Sequence, residues 1–284
     1  MKHLSSIIAM LIIALASQAQ TYDPTGLQTR RKNSPGVVAE PVDLGLSVKW
    51  ASWNLGASQP EEYGGYYAWG ETKEKDVYDR FTYRYIRREL PVYPDEPDSN
   101  WYYDEETGAV IRRFIELGDT INDENRDAMF SICGTRYDVA RQLWGDNWRM
   151  PTWEELLELF ANCSKKFATV NGVDGWYFSG STGERIFLPS AGKKSEDEVS
   201  YDMRDNRFTF CCYWSGDLIT WLDLLGKDGV INVQPGEQDG DCAYNLNFDE
   251  RGVPFGNHLR RYEGLSVRPV YVKKKKTAPN PDSK

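Results

Sequence analysis

The sequence has little of what metal and nucleophile chemistry most often uses. Histidine occurs only twice in 284 residues, as His3 and His258. His3 lies in an N-terminal apolar stretch that reads as a signal peptide, which leaves His258, inside GNHLRRYEG, as the one imidazole of the folded part. This excludes H-E-x-x-H and every other multi-histidine metal site. The absence of G-x-S-x-G removes the nucleophile elbow of a Ser-His-Asp hydrolase. No C-x-x-C occurs, so a thioredoxin-like redox motif is excluded. Basic residues are outnumbered 34 to 43, for a net charge of −9. Nucleic-acid binding needs a concentrated basic surface, and this chain is acidic. Its one basic run, Lys273 to Lys276 before TAPNPDSK, reads as a solvated tail.

Long apolar runs are also missing. The stretch from Ile7 to Leu15 follows Lys2 and precedes Ser17-Gln18-Ala19. It falls short of the roughly 20 residues that a membrane helix needs. With small residues at the cleavage position it reads as a secretory signal over 1–19, so the mature protein is expected to be exported, without a membrane span. Five cysteines follow, at 133, 163, 211, 212 and 242. In an exported protein some should pair, and the odd number leaves at least one thiol free or intermolecular. Cys211 and Cys212 are adjacent, so on a strand their side chains diverge and should not bond to each other.

Ten Trp, seventeen Tyr and 24 Gly favour a loop-rich fold containing β-structure over a helical bundle. The expected organisation is a flexible leader over 20–41, one domain over 42–272 and a disordered basic tail over 273–284. Two insertions are expected within that domain, at 73–130 and 216–241. The most sharply specified stretch is YDVARQLWGDNWRMPTWEELLELFA, from Tyr137 to Ala161. Val139, Ala140, Leu143 and Trp144 form a short apolar stripe after Asp138, a favourable charge at a helix start. Gly145 can adopt the left-handed conformation that ends a helix. Thr152 and Glu155 make a T-x-x-E capping box, and Trp153, Leu156, Leu157 and Phe160 follow as one face to be buried.

Strands are expected at Leu46–Leu55 and Tyr63–Gly70, where glycines signal a bulge or a close backbone approach. Hairpins are expected around Thr107-Gly108, Asn171-Gly172 and Ser181-Thr182-Gly183. Further strands fall at Phe208–Trp214, Cys242–Phe248 and Leu265–Val272, with Pro269 at an edge or strand end.

The blocks GLSVKWASWNLGA, EYGGYYAWGETK, WGDNWRMPTWEEL, FLPSAG, YWS and GLSVRPV, in this order, resemble the Fibrobacter succinogenes major paralogous domain family of secreted bacterial proteins. More distantly, RMPTWEE and the closing VRPV resemble the formylglycine-generating-enzyme group, a variant of the C-type-lectin-like fold. The resemblance implies an α+β, C-type-lectin-like domain, two helices packed on antiparallel strands, with first and last strands brought together. The enzyme group uses a cysteine pair and copper, and adjacent Cys211-Cys212 does not match that spacing, so no activity carries over.

For Asp146, Asn147 and Arg149 the structural role outweighs ligand binding, since a buried arginine paired with a carboxylate would lock the helix-to-helix geometry. Ligand contacts are expected instead on the insertions. Trp101, Tyr102 and Tyr103 offer flat faces for sugar rings, and Trp221 lies in the apolar part of the second excursion. Tyr66, Tyr67 and Trp69 are weaker aromatic candidates for the same role. Glu237, Asp239 and Asp241 supply hard oxygens that calcium would accept, without the full D-x-[DN]-x-[DN]-G pattern. The expected function is a non-catalytic module that binds a glycan or protein ligand outside the cytoplasm. An exported carboxylate hydrolase and a purely structural surface component are the alternatives.

Overall fold

The computed structural model describes residues 33–85, 131–200, 210–219, 242–254 and 256–273, and the backbone of four further strands at 87–88, 101–104, 109–112 and 115–116. In chain order the first elements are β1 (Pro41–Val42), β2 (Lys49–Ala51), β3 (Arg87–Arg88), β4 (Trp101–Asp104), β5 (Ala109–Arg112) and β6 (Ile115–Glu116). Then come α1 (Val139–Trp144), β7 (Trp148–Arg149), α2 (Trp153–Asn162), β8 (Ser164–Val170), β9 (Val173–Ser179) and β10 (Arg185–Pro189). The remainder is β11 (Lys193–Ser195), β12 (Glu198–Ser200), β13 (Phe210–Leu218), β14 (Cys242–Asp249), β15 (His258–Arg260), β16 (Gly264–Leu265) and β17 (Val270–Tyr271). The protein is α+β: the described residues form two helices among small sheets whose strand pairs are antiparallel.

Near the start of the domain, β2 pairs with β17 near its end, and Val270 stands opposite both Trp50 and Arg149 in a sheet ordered β1-β2-β17-β7. Residues 33–41, the last part of the expected leader, run along this domain. The Val37 N–H donates to Ala57 O, and the Trp144 Nε1–H donates to Pro35 O.

The two helices form where their caps specify. Asp138 Oδ1 accepts the N–H groups of Ala140 and Arg141 at the start of α1. Gly145 ends that helix at φ +90°, a positive φ that glycine reaches readily, with ψ of 177° outside the left-handed helical well. Both arms of the Thr152–Glu155 capping box are made. The buried face of α2 follows Leu156, Leu159 and Cys163. Leu157, expected in the core, is 44% exposed because that face is rotated by about one position toward Leu159.

In the β8–β9 hairpin, Asn171 (φ 50°) and Gly172 (φ 84°) form a two-residue turn with both φ angles positive, the I′ geometry that suits strand twist. Strands β4 and β5 pair with Asp104 opposite Ala109, and the turn expected at 107–108 lies outside the described residues. Three strands differ from expectation, the one expected at Leu46–Leu55 being strand only over Lys49–Ala51. Tyr63–Gly70 is irregular, with a single bridge from Tyr67 to Leu265. Its glycines do mark close approach, since a Cβ on Gly64 would lie 2.3 Å from Leu55 O. The expected final strand divides into β16 and β17, because Pro269 has no N–H and Arg268 turns inward between them.

Strands β13 and β14 form the partition between two apolar cores. Phe210, Cys212 and Trp214 project to one side, with Leu55, Trp69, Trp148 and Val267. Cys211 and Tyr213 project to the other, with Trp50, Leu159, Phe178 and Phe248. The two adjacent cysteines therefore diverge, as strand geometry requires.

Arg268 is buried at the seam of these layers. Its Nε donates to Asn54 Oδ1 at 2.8 Å, one terminal nitrogen to Ala51 O at 3.0 Å and the other to Phe187 O at 2.7 Å. A lysine ammonium is a point charge and cannot present a planar fork to three separated acceptors. Arg268→Lys should therefore lower the unfolding free energy by about 2–4 kcal/mol, as at least one buried acceptor is left unmade. Urea unfolding followed by tryptophan fluorescence tests this, and an unchanged midpoint would count against the fork as a fold determinant.

Candidate binding surface

The first insertion rejoins the scaffold at Ser131, and the second leaves it after Gly216. These two points are hydrogen-bonded neighbours: Ser131 bridges Asp217 in antiparallel fashion, and the Ile132 N–H donates to Gly216 O at 2.8 Å. Within the described part of the first insertion (73–85), Tyr85 packs edge-on against Tyr137, with ring centroids 5.5 Å apart. The two expected insertions thus share one root.

That root is fastened to the helix–turn–helix stretch. The Asp217 carboxylate accepts the Trp153 N–H at 2.6 Å, at the start of α2, where a negative charge is favoured. The Gly216 N–H donates to Pro151 O, and the Trp69 indole N–H donates to Ser215 O. A Cβ on Gly216 would lie 2.4 Å from Cys133 Sγ, so only glycine lets the second insertion leave so close to the end of the first.

Asp138 holds the same unit from inside. Its Oδ1 caps α1, while its Oδ2 accepts the N–H groups of Gly134 at 2.7 Å and Met150 at 2.9 Å. Burial pushes its carboxyl pKa up, and the four backbone amides pull against that shift. Arg149 grips Glu155 with both terminal nitrogens and Met150 O with one of them, so the arginine serves the turn between the helices. Asp146 makes an exposed ion pair with Arg141, and Asn147 O accepts the Val272 N–H. All three residues have structural partners.

Of the aromatic candidates, Tyr66, Tyr67 and Trp69 are core residues and not a sugar platform; Tyr66 and Trp69 donate to Ala191 O and Ser215 O. Trp101, Tyr102 and Tyr103 lie on β4, opposite Arg112, Ile111 and Val110 of β5, where the backbone alone is described. Trp221, Glu237, Asp239 and Asp241 lie outside the described residues. Among the described residues no group of three or more His, Cys, Asp or Glu side chains is arranged to hold a metal ion. No described helix is long and apolar enough to cross a membrane. His258 is half-buried on β15, with Nδ1 3.0 Å from Asn257 Oδ1.

Two features escape reading from sequence. The first is a stacked aromatic pair, Trp153 and Tyr244, with centroids 5.1 Å apart and planes 9° from parallel. Both rings are half-buried, and Tyr244 lies two residues beyond Cys242, where the chain returns from the second insertion. The two residues are far apart in sequence, and each looks locally like a core residue, so no spacing signals the pair. The second is polar. Asn245 and Asn247 are buried on the face of β14 opposite Leu246 and Phe248, across from Trp214 and Cys212. The only signal for it in the sequence is that asparagine is unusual at alternate positions of a buried strand.

Cys133, Cys163, Cys211 and Cys212 are free thiols. Burial pushes Cys211 up to about 12 and Cys212 well above the ordinary thiol range, which keeps both protonated and unreactive at neutral pH. Ellman's reagent at pH 8 should leave both unmodified in the native protein and titrate both in guanidinium. Rapid native labelling of either would contradict the two-core arrangement. Asp138→Asn should lower stability by about 3 kcal/mol, because an amide NH2 would then face one or both of the Gly134 and Met150 N–H groups. Thermal unfolding measures this, and a loss under about 1 kcal/mol would show that the carboxylate is not the clasp.

No family model matches the chain, and no curated protein or solved structure matches it.

Proposed function

We propose that the chain is an exported, non-catalytic binding module of C-type-lectin-like architecture, and that its ligand is a glycan held on the surface over the common root of the two insertions. The observation that carries this reading is the Ser131–Asp217 bridge. It fixes the end of one long insertion beside the start of the other on a helical base, an origin from which loops on a fixed scaffold can recognise ligands. The lectin-like architecture is supported by the pairing of β2 with β17, which joins the beginning and end of the domain. The resemblance to the secreted bacterial family supports export, as does the apolar N-terminal stretch.

Binding is favoured over carboxylate-dependent hydrolysis by how the buried carboxylates are used. The five buried acids among the described residues all accept from protein donors: Glu61 from Asn171, Glu74 from Asn33 and Tyr66, Asp138 from four amides, Asp249 from Arg251 and Glu263 from Lys193. A glycan is favoured by the Trp153–Tyr244 pair beside the second insertion, and by the aromatic run Trp101, Tyr102 and Tyr103 in the sequence of the first. In this reading Trp221 adds an apolar contact, and Glu237, Asp239 and Asp241 hold a calcium ion that fixes the second insertion.

A glycan array probed with the mature protein, with and without EDTA, tests the reading directly. Binding to a defined glycan subset is expected, weakened by the chelator. Tyr244→Ala should reduce affinity about 3- to 10-fold without unfolding the protein. A clean array at high protein concentration would overturn the glycan assignment, and binding indifferent to EDTA would overturn the calcium site alone.

A further inference from the structure

Strand β8 is the outer strand of the sheet ordered β10-β9-β8, and it pairs with β9 along all 7 of its residues. The two-residue turn at Asn171-Gly172 fixes which of its backbone groups are used. Val170 and Val173 flank that turn and form a hydrogen-bonded pair, so the N–H and C=O groups of Ser164, Lys166, Ala168 and Val170 face β9. Those of Lys165, Phe167 and Thr169 point the other way. The phase of β9 agrees: Asp174, opposite Thr169, turns its carbonyl to the far side, where it accepts the Ser190 N–H at 2.8 Å. Among the described residues no hydrogen bond reaches the outward groups of β8. Ser164, Lys166 and Thr169 are exposed. The opposite edge of the sheet is closed, because Phe187 O accepts from Arg268 and Pro189 O from Tyr213.

A row of outward N–H and C=O groups at every second residue is a template for another strand. The side chains restrict which strand. Edge lysines ordinarily discourage pairing, and β8 carries Lys165 and Lys166. Lys165 is drawn off the edge: its ammonium lies 4.5 Å from the centroid of the Phe160 ring and donates to Phe160 O. When two β8 strands pair antiparallel, the register that overlaps the whole strand centres on Phe167. It sets Lys165 against Thr169, and Lys166 against Ala168, of the second copy. No lysine then meets a lysine. A slip of two residues toward the start of the strand sets Lys166 against Lys166, which is unfavourable. The same slip toward its end leaves Ser164 and Lys165 outside the pair. Phe167 meets its own copy beside Trp176, already edge-on to it at 5.5 Å, so the aromatic row continues across the junction. The charges of β8 thus oppose the slipped register and permit the full one.

We propose that the free edge of β8 is a homodimer interface, in which two copies of this chain pair β8 with β8 about a two-fold axis at Phe167. The Phe167–Phe167 pair and both Lys165–Thr169 pairs exchange their backbone hydrogen bonds, and two small sheets become one continuous sheet. The same surface serves both copies, as closed two-fold symmetry requires. An interface built on one strand pair is small, so the expected dissociation constant is about 10–100 μM. The dimer does not depend on which ligand the insertions take.

Sedimentation velocity of the full mature chain, from about 1 to 500 μM, should show a monomer passing to a dimer. Amide exchange followed by NMR at both ends of that range locates the contact. In the dilute protein the Lys165, Phe167 and Thr169 amides should exchange fast and those of Lys166 and Ala168 slowly; at high concentration the first three should become protected. Ala168→Lys sets a lysine against Lys166 of the second copy on both sides of the axis, and should weaken the dimer about 3- to 30-fold. Adding Lys166→Glu to that variant should restore association, because a glutamate then faces each new lysine. Thr169→Pro removes an outward N–H without touching the β9 ladder and should abolish the dimer. It keeps the test decisive if Ala168→Lys does not fold, which thermal melts report. A monomer at every concentration would overturn the proposal and leave the edge to a foreign extended peptide. A dimer indifferent to Ala168→Lys and Thr169→Pro would place the interface elsewhere, with the same consequence. Protection of the three amides already in the dilute monomer would show that the chain covers its own edge, which also overturns it.

Discussion

The fold depends on a cation with no anion beside it. The Arg268 guanidinium is buried in full, and its three hydrogen bonds go to a side-chain amide and two backbone carbonyls. Burial lowers its pKa to about 10, so the charge remains at neutral pH and must be satisfied by dipoles. Those dipoles come from the segment after β2, from β2 itself and from β10, and the arginine sits just before β17. Three parts of the chain must therefore be in place together before the charge can leave water. Asn54 extends the constraint, because its Nδ2 donates to Tyr63 O at 3.0 Å and lies 3.4 Å from the Tyr213 hydroxyl, which donates in turn to Pro189 O. This chain of contacts links both sides of the two-core partition.

The parts of this architecture that were legible in sequence are those whose physics is local. The T-x-x-E box, the Asn171-Gly172 turn and the divergence of Cys211 from Cys212 each rest on neighbouring residues, and each is present. Leu157 shows where local pattern falls short. Helical spacing admits more than one apolar face, and only the sheet against which α2 packs chooses between them. Tyr66, Tyr67 and Trp69 looked like an aromatic surface because composition cannot report burial. The Arg268 site was not legible at all, since its partner Asn54 is 214 residues away and the requirement that unites them is electrostatic.

The candidate site divides along the same line. The two insertions proposed to carry it are expected from composition, which changes where the chain leaves the scaffold. That the insertions meet was not legible, because the Ser131–Asp217 bridge joins positions with no related pattern. The buried amides of Asn245 and Asn247 were visible only as two polar residues in a largely apolar strand. In a sequence, such residues look like the solvent face of an amphipathic strand. They become informative once both faces of β14 are known to be covered.

The helix–turn–helix stretch then has a role that its strong local signals did not suggest. Asp138 ties Gly134, three residues from the first root, to Met150, which precedes α2. Asp217 ties the second root to the first turn of α2. Between them lie the Arg149–Glu155 fork and the Gly216–Cys133 contact, which leave little room for either root to shift. Moving one root relative to the other requires breaking several of these bonds, each costing about 1–3 kcal/mol where the group is buried. The insertions can therefore change in sequence and length while their origins stay fixed. In the proposed reading, recognition and folding fall to different residues, which is the condition under which a binding surface can diversify without loss of its scaffold.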